Sequence, residues 1–199
     1  ILFPCIILEI LIIVLELTMP LSKPKMRNQI HSREIKCLGY KRGDGLWDIE
    51  GSMMDTKSYS FDNNDRGGVS SGEPIHYMQI RITLDDNLVI IDAEAATLAS
   101  PYKICPSVSN GFESLKGLQI GPGWRRKVQS ILGGVRGCTH LRDLLTGPIA
   151  VTAYQTIIPS RRDNEYQPKR NEKPSLINTC VAFSENGQIV KDRWPKYFK

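Results

Sequence analysis

Cysteines and histidines carry most of the reactive chemistry in this sequence, and their placement suggests a shared site. Cys105 is followed by Pro106, which suits the first position of a helix because its missing N–H is not needed there. Cys138 precedes Thr139, a residue type that caps helices. A helix N-terminus presents unpaired N–H groups and partial positive charge, which stabilises a thiolate and lowers a cysteine pKa. His140 follows Cys138 by two residues, in the first turn of the same predicted helix. His76 shares strand parity with Met78 and Ile80, so it is expected to face the core. The expectation is that Cys105, Cys138 and His140 lie within ligand distance, with His76 nearby. Thiolate and imidazole are ligands that zinc and iron–sulfur clusters accept. The same groups can pair as nucleophile and base.

Two other functional classes compete with this site. Asp92 and Glu94 sit on the polar side of a predicted strand, as do Asp48 and Glu50. With His76 they could move protons in a metal-free enzyme acting on a small, aromatic molecule. Trp47, Tyr77, Tyr102 and Trp124 would wall its pocket. The bland reading of the carboxylates is the wet face of a strand. The third class is a non-catalytic binding module that docks through the tail Arg193-Trp194-Pro195-Lys196-Tyr197. Cys37 and Cys180 fall on predicted strands and read as plain core.

Bulk properties narrow the field. At 199 residues with 41% apolar content, the chain is long enough for one domain with its own core. The five cysteines are odd in number, widely spaced and free of any CxxC pair. That pattern predicts reduced thiols and a cytoplasmic setting rather than a disulfide framework, and it argues against ordinary structural zinc. The net charge is +5, but no arginine-rich run, zinc-finger spacing or aromatic RNA-binding motif accompanies it. No complete phosphate-loop or dinucleotide fingerprint is present. Small molecules and metals are therefore the expected partners, and the oligomeric state is left open.

The supporting elements follow from pattern. Residues 1–18 read ILFPCIILEILIIVLELT, almost long enough for a membrane span, but with Glu9 and Glu16 inside and no basic flank or cleavage site. Met19-Pro20-Leu21-Ser22 follows, so the leader is expected to be upstream sequence or an extension, with a membrane anchor as the alternative. Residues 19–33 are a polar lead-in. Residues 34–158 are expected to form an α+β core: antiparallel hairpins packed against about three helices. Gly43-Asp44-Gly45 and Asp85-Asp86-Asn87 mark two hairpin turns. Helices are expected after Pro106, after Pro122 and after Thr139, with a kink or break at Gly147-Pro148. Residues 159–175 read as a charged, proline-containing linker. Residues 176–199 read as a hairpin turning at Glu185-Asn186-Gly187, followed by an aromatic, basic tail.

The segments GYKRGDGLWDIEGSMMDTKSY, DRGG, GEPIH, DAEAAT, PYKICP, GLQIGPGW and GGVRGCTHLRDLL run in order through the chain. Together they resemble the bacterial domain-of-unknown-function family 2889, from about Met19 to Lys199. Tyr77, and Val181 after Cys180, stand where that family's pattern carries aspartate and histidine. A more distant, topological resemblance is to NifU-type iron–sulfur scaffold proteins. They share the order of a hairpin, a cysteine leading into a helix, and a Cys/His cluster opening a last helix. That resemblance implies ligands near His76, at Cys105, and at Cys138 with His140. The hairpin-start cysteine of the scaffold proteins is absent from this chain.

Overall fold

The computed structural model describes residues 21–162, 173–174 and 176–199. Residues 1–18, and nearly all of 159–175 beyond the end of a helix, lie outside them, and with them the expected leader and linker.

Four strands form one antiparallel sheet in sequence order: β1 (His31–Lys41), β2 (Trp47–Lys57), β3 (His76–Leu84) and β4 (Ile90–Ala99). Both turns fall where glycine, aspartate and asparagine predict them. β1 starts three residues earlier than expected, because the polar run before Glu34 continues the pairing with β2 out to His31↔Lys57. β2 shows the period of two that defines a half-covered strand: Trp47, Ile49, Gly51, Met53 and Asp55 are buried, and the residues between them are not. The Trp47 indole N–H donates to the Asp86 carboxylate at 2.9 Å, tying the start of β2 to the β3–β4 turn.

The alternation of β4 breaks at a bulge. Alternation through Val89, Ile91, Ala93 and Ala95 predicts Ile91 in the core. Leu84 pairs with Ile90 while Thr83 pairs with Asp92, so Ile91 is an extra residue. The insertion buries Ile90 and leaves Ile91 exposed. A second register shift, between Tyr77 and Met78, leaves Leu98 exposed in the same way.

Helical segments cover one face of the sheet. Cys105–Leu115 is a 3₁₀ run rather than the expected α-helix, and it buries Phe112 and Leu115. It closes at Gly117, whose φ of 82° is left-handed. Next come α1 (Trp124–Leu132) and α2 (Thr139–Leu144). A π-helical turn, Leu145–Ile149, then joins α2 to α3 (Ala150–Arg162). Gly147-Pro148 therefore does not break the run. The wider π turn accommodates a proline that cannot donate its own hydrogen bond. Leu141, Leu144, Leu145, Ile149, Ala153 and Ile157 line the underside and pack with Ile49, Met78, Ile80 and Ile82 of the sheet in one core.

The α+β expectation holds, but the C-terminal hairpin does not. Val181–Phe183 is a 3₁₀ turn, α4 (Gln188–Arg193) is a short helix, and Pro195–Tyr197 is another 3₁₀ turn. Gly187 acts as the cap that starts α4 instead of a hairpin corner, and a Gln188-to-Asp192 side-chain hydrogen bond spans one helical turn. Among the described residues, no helix is long and apolar enough to cross a membrane.

Candidate functional site

Cross-strand register assembles the site. Arg33 of β1 lies opposite Asp55 of β2, and Asp55 lies opposite His76 of β3. Residues paired across a sheet share a face. A guanidinium, a carboxylate and an imidazole therefore stand in one row on the helix-covered side. Asp55 is the next position in the stripe Trp47, Ile49, Met53, so strand parity carries an acid into the core, where it is only 1% exposed.

The geometry around Asp55 is tight. Arg33 grips it with two parallel bonds, Nε to Oδ1 and Nη2 to Oδ2, both 2.7 Å. His76 Nδ1 is 2.9 Å from Oδ2. His31 Nε2 lies 3.5 Å from Oδ1, at the more exposed mouth. Burial works against the charged carboxylate, but the Arg33 fork and His76 outweigh it and hold the Asp55 pKa below its ordinary value. Asp55 in turn raises that of Arg33. Burial lowers the pKa of His76 despite the neighbouring carboxylate, which favours the neutral ring. Neutral imidazole is the form that binds metals.

The helical layer contributes the rest. His140, in the first turn of α2, lays its ring over that of His76 with centroids 3.9 Å apart. One ligand atom from each of Asp55, His76 and His140 lies within 4.8 Å of the others. Cys138, at the N-cap of α2, places its sulfur 3.7 Å from His140 Nδ1 and 4.0 Å from the Met78 sulfur. Burial raises the pKa of this thiol. The His140 ring and the first-turn amides of Leu141 and His140 more than offset that, so the net shift is downward. The chain has three histidines, and all of them converge on this row.

The structure thus brings together His76, Cys138 and His140 and leaves out the other expected members. Among the described residues, no hydrogen bond or ligand grouping joins Cys105 to the histidines. The cause is local: Lys103 N–H donates to Asp65, and Asn63 donates to the Pro101 carbonyl, so the approach to Cys105 is held against the 62–66 loop. Asp92 and Glu94 are solvent-facing and paired with Lys116 and Arg81. Glu50 also bonds Arg81, and Asp48 accepts from Thr83. Trp47 and Trp124 are core residues, Tyr102 is exposed, and Tyr77 accepts from Gln79, so the four aromatics do not wall one pocket. A depression of about 410 Å³ lies on the open sheet face among Lys36, Glu50, Gln79, Arg81 and Glu94, and no histidine lines it. Cys180 is exposed, contrary to the core expectation, and Cys37 is half-buried beneath Thr152.

Sequence reasoning missed Asp55, Arg33 and His31. The available signal for Asp55 was a carboxylate continuing an apolar, period-two stripe.

A family model described as "Protein of unknown function (DUF2889)" matches residues 31–155, a span that includes the whole cluster from His31 to His140. No curated protein and no solved structure matches the chain, so the scaffold-protein resemblance gains no support.

Proposed function

The chain belongs to the DUF2889 family, whose description names no activity, and from the site itself we propose that it binds a divalent transition-metal ion on Asp55, His76 and His140. The convergence of one ligand atom from each residue within 4.8 Å carries this reading. Two imidazoles and one carboxylate suit zinc, iron(II), manganese or nickel better than an iron–sulfur cluster, which wants thiolates. The 2.9 Å between His76 Nδ1 and Asp55 Oδ2 is a separation that neighbouring ligands can hold around one ion with bonds of about 2.0–2.2 Å. Arg33 fixes the carboxylate from behind, as outer partners of metal ligands do.

Three protein ligands leave open coordination positions, the mark of a reactive rather than a structural site. An ion there would supply Lewis-acid polarisation of a bound oxygen. Arg33 balances the charge of Asp55, so a bound dication would leave the row with excess positive charge. This favours an anionic small molecule as the remaining ligand. His31, 42% exposed at the mouth, is placed to meet it.

Elemental analysis of purified protein and cobalt(II) titration of chelator-treated protein test the proposal. The expected result is about one ion per chain, with visible bands that vanish in Asp55→Asn, His76→Ala and His140→Ala. Featureless spectra and no retained metal would overturn it. A second reading rests on a separate observation, the 3.7 Å Cys138–His140 contact: a thiol nucleophile with an imidazole partner. Its mark would be activity that survives chelation and is lost in Cys138→Ser.

A further inference from the structure

β1 is an edge strand eleven residues long. Backbone bonds at its two ends fix which groups face outward. Ser58 N–H donates to the Ile30 carbonyl, and Arg42 N–H donates to the Leu46 carbonyl. Hydrogen-bonded positions alternate in an antiparallel ladder, so the even residues of β1 bond β2. His31, Arg33, Ile35, Cys37 and Gly39 then aim their N–H and C=O groups at the open edge. Among the described residues no backbone group pairs with them. Ile35, Leu38 and Tyr40 are exposed along the same strand, as is Ile30 just before it. A long, partly apolar, unpaired edge is a template for another strand.

We propose that the occupant is a second copy of this chain, docked β1 against β1 in antiparallel register about Ile35, so that two four-stranded sheets become one of eight strands. Charge selects this register. A two-fold centred on Ile35 sets Glu34 directly opposite the second copy's Lys36, twice. It also pairs Ile35 with Ile35, Ile30 with Tyr40, and Ser32 with Leu38. Its bonded pairs, 31 with 39, 33 with 37 and 35 with 35, are all odd residues, whose backbone groups face outward. Moving the centre by one residue opposes Glu34 to Glu34 or Lys36 to Lys36. Like charges directly opposite one another destabilise a ladder. The edge charges therefore choose one pairing and do not forbid pairing altogether.

A charge swap on the full chain tests this, because Glu34 and Lys36 lie on the open sheet face, outside the core. Sedimentation at tens of micromolar is expected to give twice the 22.4 kDa chain mass for the wild type. Glu34→Lys and Lys36→Glu are each expected to weaken dimerisation at least tenfold, and the double swap to restore it. Circular dichroism of each variant checks that the fold is retained. A monomeric wild type, an assembly indifferent to the single swaps, or a double swap that stays dissociated would overturn the proposal.

Discussion

The ring of His140 lies on the ring of His76 at a centroid distance of 3.9 Å and an interplanar angle of 35°, joining the first turn of a helix to the first residue of a strand 64 positions earlier. Burial lowers the pKa of His76, and the Asp55 carboxylate only partly opposes it. In the folded chain this group resists a proton that the unfolded chain accepts near pH 6.5. The unfolded state therefore binds more protons below that value, and stability must fall as the pH drops from about 6.5 through the folded pKa of His76. Urea midpoints of chelator-treated protein should decline between pH 7 and pH 5. His76→Gln should flatten that slope, and an equal slope in the variant would remove His76 as its source.

Arg33 and Asp55 predict a second effect. Asp55 is 1% exposed and depends on the guanidinium fork for its charge, whereas Arg33 is 40% exposed and can be resolvated. Arg33→Ala should therefore cost about 1–3 kcal/mol, toward the low end because solvent screens part of the pair. It should also weaken cobalt binding roughly 10- to 100-fold, the usual consequence of losing an outer partner of a metal ligand. Arg33→Lys keeps the charge but not the fork, so it should recover stability better than metal affinity. Denaturant midpoints and cobalt titrations separate the two quantities. Unchanged cobalt affinity in Arg33→Ala would show that Arg33 does not support a metal ligand.

The pattern of recovered and missed residues has a physical logic. His76 and the Cys138–His140 pair were legible because local rules fix them: strand parity for one, a helix start for the other. The α+β class was legible for the same reason, since each hairpin turn and glycine stop is a short-range signal. Cys105 satisfied the same local rule, but its approach is tethered to a loop 40 residues back, which no pattern near Cys105 encodes. Arg33 and His31 depend on the β1–β2 register, and register is a long-range property. The C-terminal hairpin failed because Glu185-Asn186-Gly187 is equally good as a turn and as a helix cap. The structure seats Gly187 as the cap of α4.

Gly51 predicts a packing effect that propagates to the site. It lies on the helix-facing side of β2, and a Cβ there would come within 2.7 Å of Cγ1 and Cδ1 of Ile149, a fully buried residue of the π turn. Gly51→Ala should cost about 1–3 kcal/mol by overpacking. Ile149 belongs to the helical run that carries His140, so the strain should also disturb the His76–His140 stack. Ile149→Val removes Cδ1 and should recover part of the loss in the double variant. Thermal unfolding of the four proteins tests the coupling. Strictly additive losses would mean that the two side chains do not meet.

Cys138 gives the last prediction, and the chain supplies its own control. The His140 ring and first-turn amides lower its pKa against burial, whereas burial raises that of Cys37, with Thr152 only partly opposing it. The thiolate is the reactive form, so Cys138 should alkylate with iodoacetamide at a lower pH than Cys37. Rates must be read residue by residue by peptide mass spectrometry, because Cys105 and Cys180 are also free. His140→Ala removes the strongest lowering influence and should move the Cys138 midpoint upward while leaving that of Cys37 in place. Occupation of the site by a metal should slow Cys138 alkylation, since His140 would then be engaged on the ion and the sulfur shielded beside it. A Cys138 midpoint at or above that of Cys37, or one unmoved by His140→Ala, would break the link between this thiol and the imidazole and leave the three-ligand centre to stand without it.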